Sequence, residues 1–178
     1  MIIIKSIFSR LTILCILIIY SKRGLVPRVS CSYISDSGDS YWNPRLITLE
    51  ALMYPLGVNL YEFISALEAD VTLNNLKPSE HFTPLIHNRK ELLCTIQEMM
   101  HERTGSDHCR KDLSVNLNTS TTLVGSDFRS THNSISIMKL EKYACAAGIP
   151  LSEVLRRYYE KYSSDPAHID YDSYPAAE

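Results

Sequence analysis

The chain of 178 residues has little glycine (6), little proline (8), one tryptophan and no dominant sign of charge. That scarcity of glycine and proline excludes a fibrous or low-complexity chain. A formal net charge of −2 excludes a strongly basic wrapper of nucleic acid, but not a DNA reader with a local basic face. A long apolar run is also missing. A bilayer span needs roughly 20 apolar residues, and the longest unbroken stretch here, residues 11–20, holds ten. The five cysteines, Cys15, Cys31, Cys94, Cys109 and Cys145, are odd in number, scattered, and form no Cys-x-x-Cys pair. A small disulfide-stapled domain is thereby disfavoured, and free thiols in a reducing compartment are expected. There is no Gly-x-Ser-x-Gly elbow, no phosphate-cradling loop and no His-Glu-x-x-His helix, so no enzyme is expected. Cys94, His101, His108 and Cys109 lack the closely spaced ligand pairs of structural zinc sites, so no metal or cofactor is expected either.

What is present is enough apolar residue, 45%, for a core, on a length that suits one ordinary domain or two small ones. In an apolar segment over residues 2–20, the run 11–20 resembles a signal-peptide core in length, with Lys5 and Arg10 as the charged region before it. Lys22 and Arg23 then stand where a small, neutral cleavage region belongs, and Arg28 spoils a lipidation context for Cys31. The segment therefore reads as a buried or partner-facing first helix of a cytoplasmic protein, with export or membrane anchoring as the alternative. Asn118-Thr119-Ser120 fits the glycosylation pattern, which matters only for an exported chain.

The interior repeats itself. At an offset of 91 residues, Leu49, Glu50, Gly57, Leu60 and Glu62 meet identical residues at Leu140, Glu141, Gly148, Leu151 and Glu153. Leu46 and Ile47 likewise meet Ile137 and Met138, and Ser35-Asp36 meets Ser126-Asp127. After a one-residue slip, Ser30, Ser32, Tyr33 and Ile34 stand against Ser120, Thr122, Leu123 and Val124. Two copies of one unit of about 70 residues follow.

Each copy reads as helical. Leu92, Leu93, Ile96, Met99, Met100 and Arg103 fall on one helix face behind an Asn88-x-x-Glu91 capping box, and Gly105 ends the run. A short segment at 107–116 carries Leu113, and the next, 121–128, has Leu123, Val124 and Phe128 as its apolar contacts. Ile137, Leu140, Tyr143, Ala144 and Ala147 mark a further helix closed by Gly148. Ser152 opens the last, with Val154, Leu155, Tyr158, Tyr159 and Tyr162 inward. Five short helices with tight connections make a small bundle.

The run from Leu140 to Glu153 resembles the fourth-helix signature of lambda-repressor-like (Cro-type) helix-turn-helix domains, and Leu49 to Glu62 resembles it too. Upstream, Ser32-Tyr33-Ile34-Ser35-Asp36 is similar to the family's recognition helix, and Asn43 to Glu50 to its loop and next helix. The resemblance implies sequence-specific binding of double-stranded DNA with the third helix in the major groove. It places Ser30, Ser32 and Tyr33 of copy one and Ser120, Thr121 and Thr122 of copy two at the start of that helix. There, hydroxyls reach base edges or phosphates but discriminate bases poorly. Asn43 and Arg45 fall in the loop where the family touches phosphate. Ser30 and Ser120 serve equally well as helix N-caps.

Copy one departs from the family: only six positions separate Gly24 from Ser30, too few for a second helix. Its Pro55 stands where a helix interior would lose a hydrogen bond, at about 3 kcal/mol, unless the chain kinks. In neither copy does an acid occupy the family's position shortly after the recognition helix. Charge is favourable in copy one, where Lys22, Arg23, Arg28 and Arg45 outnumber Asp36 and Asp39. In copy two, Arg103, Arg110, Lys111 and Arg129 are offset by Glu102, Asp107, Asp112 and Asp127. Phosphate affinity comes mostly from cations, so copy two counts as a weak non-specific binder.

The sequence thus predicts an all-α tandem of helix-turn-helix bundles, the first incomplete. An apolar segment (1–20) precedes the incomplete unit (21–69), a linker (70–88), the second unit (89–162) and a frayed acidic tail (163–178). The expected function is a cytoplasmic, operator-binding transcriptional regulator, acting alone or as a homodimer, with no small-molecule ligand evident. Two alternatives stay open: a decayed member acting through protein contacts only, and an exported or anchored helical protein.

Overall fold

In the computed structural model the described residues are 44–69, 78–79, 83–130 and 135–169. They form seven α-helices: α1 Leu46–Met53, α2 Leu60–Glu68, α3 Arg89–Thr104, α4 Cys109–Asn116, α5 Thr121–Arg129, α6 Ile137–Ala146 and α7 Leu151–Tyr162. The fold is all-α. Single turns of 3-10 helix follow α1 (Tyr54–Leu56) and α7 (Pro166–His168). Among the described residues, no helix is long and apolar enough to cross a membrane.

The helix boundaries have local chemical causes. Asn88 accepts from the Lys90 N–H at the start of α3, and Gly105 ends it in the left-handed conformation (φ 65°). Gly57 and Gly148 take the same left-handed turn after their helices. Pro55 does not sit inside α1. That helix stops at Met53, and Pro55 occupies the first positions of a 3-10 turn, where a missing N–H costs nothing.

The inward faces follow the predicted spacing for most helices. Leu92, Leu93, Ile96, Met99 and Met100 of α3 are buried, as are Ile137, Leu140, Tyr143 and Ala144 of α6 and Val154, Leu155, Tyr158 and Tyr159 of α7. Arg103 differs. It is exposed, donating to the Gly148 carbonyl and pairing with Glu153.

The 91-residue offset recurs in space. The helix starts Leu46 and Leu60 are matched by Ile137 and Leu151. Their entry strands pair in an antiparallel bridge, Arg45 with Ser136, two positions that are themselves 91 apart. The Leu46 N–H donates to the Ile135 carbonyl (3.1 Å) and the Ile137 N–H to the Pro44 carbonyl (2.9 Å). Exchanging the copies turns each bond into the other, which is what a local two-fold axis does. α2 and α7 pack together across it. Glu68 accepts from the Leu151 and Ser152 N–H groups, and the exchanged pair, Tyr61 and Tyr159, is an edge-to-face ring contact at 5.4 Å.

Residues 84–88, within the segment expected as a linker, run through the core: Leu85 is fully buried and His87 nearly so. Leu85 bridges Ile169, and the Ile86 N–H donates to the His168 carbonyl at 2.8 Å. This seam also orders residues 163–169, which composition places in the frayed tail. Asp165 caps the final 3-10 turn, and His168 lies between Glu91 (3.0 Å) and Asp165 (2.9 Å). Composition alone misses these partners because they come from α3 and from a single His.

The bond to Glu91, aided by Asp165, raises the His168 pKa above its ordinary value of 6.5. A folded-state pKa above the unfolded one gives stability that is complete below the unfolded pKa and fades as pH rises through the folded one. His168→Asn is therefore expected to lower the melting temperature most near pH 6. The gap to the parent protein should narrow toward pH 9, as thermal unfolding across pH would show. A gap constant with pH would remove the charge argument.

Candidate nucleic-acid interface

The region that sequence singles out in the second copy is α4, the turn after it, and α5. α4 opens on a local knot. The Ser106 hydroxyl donates to Asp112 (2.8 Å), the Cys109 thiol donates to the Ser106 carbonyl, and His101 Nδ1 approaches that same carbonyl at 3.0 Å. The Ser106 hydroxyl also accepts from the N–H of His108, the N-cap residue, whose own side chain makes no cap. Cys94 lies apart on α3. Among the described residues no group of three or more His, Cys, Asp or Glu could hold a metal ion.

The turn from α4 to α5 needs one left-handed residue, and Asn118 (φ 50°) supplies it, asparagine being one of the few side chains that tolerate it. Ser120 then caps α5, accepting from the Leu123 N–H. Val124 and Phe128, one turn apart, are buried and fix the inner face of α5. The outer surface is short and uncharged at its start: Thr121, Thr122, Leu123 and Ser126 are exposed, with Arg129 at the far end. Leu123 differs from expectation. Expected among the apolar contacts, it is 60% exposed, because it lies about 100° around the helix from Val124.

One cation of α4 reaches α5 from its inner side. Arg110, exposed, donates to Gln97 and lies over the Phe128 ring at 4.6 Å. Lys111, one residue on, is also exposed. Asp127 is turned the other way, into a polar cluster behind α5. Lys139 donates to its Oδ1 at 2.5 Å, the Tyr143 hydroxyl donates to Oδ2 at 2.8 Å, and Arg89 stands 3.9 Å off. Burial, reinforced by Asp127, pushes the Tyr143 phenol far above its usual range, so it stays a donor. By charge count alone Asp127 is simply an acid cancelling a base. Its role as the anchor of α5 on α3 and α6 depends on contacts across 12, 16 and 38 positions of chain, which no local pattern carries.

The expected site residues divide accordingly. Ser120, Thr121 and Thr122 stand together at the start of α5, and Ser120 is demonstrably a cap. Arg45 is exposed immediately before α1, with its backbone in the bridge to Ser136. Ser30, Ser32, Tyr33 and Asn43 lie outside the described residues. Beyond α4, an open cavity of about 760 Å3 separates the ends of α3 and α4 from α6, lined in part by Met100, Leu117, Glu141 and Cys145.

Ser120 offers a clean separation of roles. Ser120→Ala is expected to cost about 1 kcal/mol of stability through the lost cap. Ser120→Asp keeps a good cap, so urea unfolding should leave it close to the parent, while its negative charge beside α5 weakens any binding to a phosphate backbone.

Compared with family models, with curated proteins and with solved structures, the chain matches none.

Proposed function

We propose that the protein binds double-stranded DNA in a sequence-specific way and acts as a transcriptional regulator of the kind its sequence resembles, with α5 in the major groove. The observation that carries this reading is the division of α5. Its one acid, Asp127, is drawn inward to Lys139, Tyr143 and Arg89, which leaves an exposed surface of small hydroxyl side chains free of negative charge. Such a surface fits a groove floor, and the exposed Arg110, Lys111 and Arg129 are cations available to phosphates. Free Cys94, Cys109 and Cys145 suit a reducing, cytoplasmic compartment. With α2 already packed on α7 inside one chain, a homodimer would use another surface.

The test is fluorescence anisotropy with duplex genomic fragments across salt. Neutralising about three phosphates implies a log–log slope near −2.7, a loss of roughly 40-fold between about 50 and 200 mM salt. Lys111→Ala should flatten that slope by about 0.9. Binding that ignores salt, or none at the lowest salt, would count against the reading. The second reading, a protein-docking module, is favoured by the exposure of Val115 (70%) beside that of Leu123, and it predicts that salt-insensitive outcome.

A further inference from the structure

We propose that, independently of any DNA binding, the open cavity between α6 and the ends of α3 and α4 takes a small organic cation, an amine on an apolar body, whose ammonium is held by Glu141. The local two-fold relation between the copies points there. Exchanging the copies sends Glu50 to Glu141 and Tyr159 to Glu68, each pair 91 residues apart. In the first copy the Tyr159 hydroxyl donates to Glu50, and the carboxylate is sealed in the core. In the second copy an acid, Glu68, takes the place of that donor, and it accepts from the Leu151 and Ser152 N–H groups of α7. Glu141 is thus left without the donor its counterpart has. It lines a cavity of about 760 Å3 instead of a filled core. Among the described residues it has no ion-pair partner.

Burial, with the charge of Glu68 adding to it, raises the Glu141 pKa above its ordinary value of 4.5. The fold gains nothing from the charged carboxylate, and a cation brought into the cavity would favour it. The cavity has the size and lining of a small-molecule site. Met100, Leu117, Ala146 and Ala147 supply apolar walls, and Glu141 is the one acid among its lining residues. Lys142 also borders it. That residue is exposed, about 100° around α6 from Glu141, and its long stem lets its own ammonium stay in water. An anion would meet the charges of Glu141 and Glu68, and a wholly apolar ligand would bury Glu141 without a partner. A metal ion needs several ligating groups, and among the described residues no such group forms. An amine with an apolar body matches both the walls and the acid.

The probes are phenethylamine, phenethyl alcohol and phenylacetate, which share a ring and differ in the charge of one group. Each is titrated into the full-length protein by calorimetry, and the Met100 methyl resonance, assigned with Met100→Leu, reports where it sits. The amine should shift that resonance and bind about tenfold more tightly than the alcohol, the value of a hydrogen bond to a charged group. Phenylacetate should bind more weakly than the alcohol. The preference for the amine should fade as pH falls toward 4.5, beginning above that value because the Glu141 pKa is raised. Glu141→Gln keeps the shape and removes the charge. It should bind amine and alcohol alike, while its urea unfolding stays close to that of the parent. Equal binding of amine and alcohol by the parent protein overturns the proposal, as does an amine preference that survives in Glu141→Gln. A Met100 methyl that does not respond, or no binding of any probe, overturns it too. None of these results bears on the salt-dependent DNA titration, so the two readings fail separately.

Discussion

Glu50→Ala is expected to destabilise the protein by about 1–3 kcal/mol, the usual consequence of taking the acceptor from a buried hydrogen-bond donor. Glu50 lies on α1 with no exposed surface, and His87, from residues 84–88, is 2% exposed. Their Oε2 and Nε2 atoms stand 3.0 Å apart without forming an aligned hydrogen bond. The aligned bond comes from the Tyr159 hydroxyl of α7, which donates to Glu50 Oε1. His87 is stacked on Tyr158 at 5.6 Å and tilted against Tyr159 at 6.0 Å. Three segments distant in sequence therefore meet at one carboxylate. Alanine would take from the buried Tyr159 hydroxyl its acceptor on Glu50 and from the His87 ring the carboxylate packed against it, and the lost acceptor carries a desolvation penalty.

Two comparisons keep this prediction falsifiable. The triple variant Glu50→Leu, His87→Leu and Tyr159→Phe removes every polar member together, and should lie much closer to the parent protein than Glu50→Ala does. Glu141, the equivalent of Glu50 in the second copy, is only half-buried and has Glu68 as a neighbour where Glu50 has the Tyr159 hydroxyl. Burial raises its pKa, so Glu141→Ala should cost little or nothing. Urea unfolding measures all three. Equal losses at positions 50 and 141 would show that the buried cluster contributes nothing of its own.

That contrast shows what the sequence holds and what it does not. The identity of Glu50 and Glu141 belongs to the repeat and is visible by inspection; their different fates depend on what is packed over them. His87 lies in a stretch marked as a linker by Pro78 and Pro84, yet apolar Leu85 and the seam with Ile169 draw it inside. Local signals suffice where the cause is local: Asn88, Gly105, Ser120 and Gly148 bound the helices that sequence predicts they bound. The capping box behaved differently. Asn88 caps, but Glu91 turns away to the Tyr158 hydroxyl and His168, because α7 and the last turn offer stronger partners than the first N–H of its own helix. Glu62 does reach back, accepting from the N–H of the N-cap Asn59, beyond the αL glycine of copy one. At the candidate interface, Thr121 and Thr122 were legible from their place after a break, whereas the exposure of Leu123 and the inward turn of Asp127 required knowing which face of α5 the bundle holds.

Phe128→Ala should be the most damaging single change to the interface, costing about 3–5 kcal/mol and releasing α5 before the rest of the bundle. Only two side chains of this nine-residue helix, Val124 and Phe128, are buried. Phe128 is the larger, 2% exposed, edge-on to Tyr143 with ring centres 6.4 Å apart and covered by the Arg110 guanidinium at 4.6 Å. An isolated helix of this length has no stability of its own, so α5 persists only through the face it buries. Truncating the ring removes most of that face and uncovers Tyr143, while the Asp127 cluster alone must hold the C-terminal end. Hydrogen exchange should then rise first at the amides of α5, ahead of those of α3 and α7, which are tied together by Leu93, Ile96, Leu155 and Tyr158. Leu123→Ala serves as the control, for it alters the outer surface and leaves the anchor intact. If α5 and α7 lost protection together in Phe128→Ala, the bundle would be a single cooperative unit. In that case a reader helix could not loosen or adjust on its target without unfolding the whole protein.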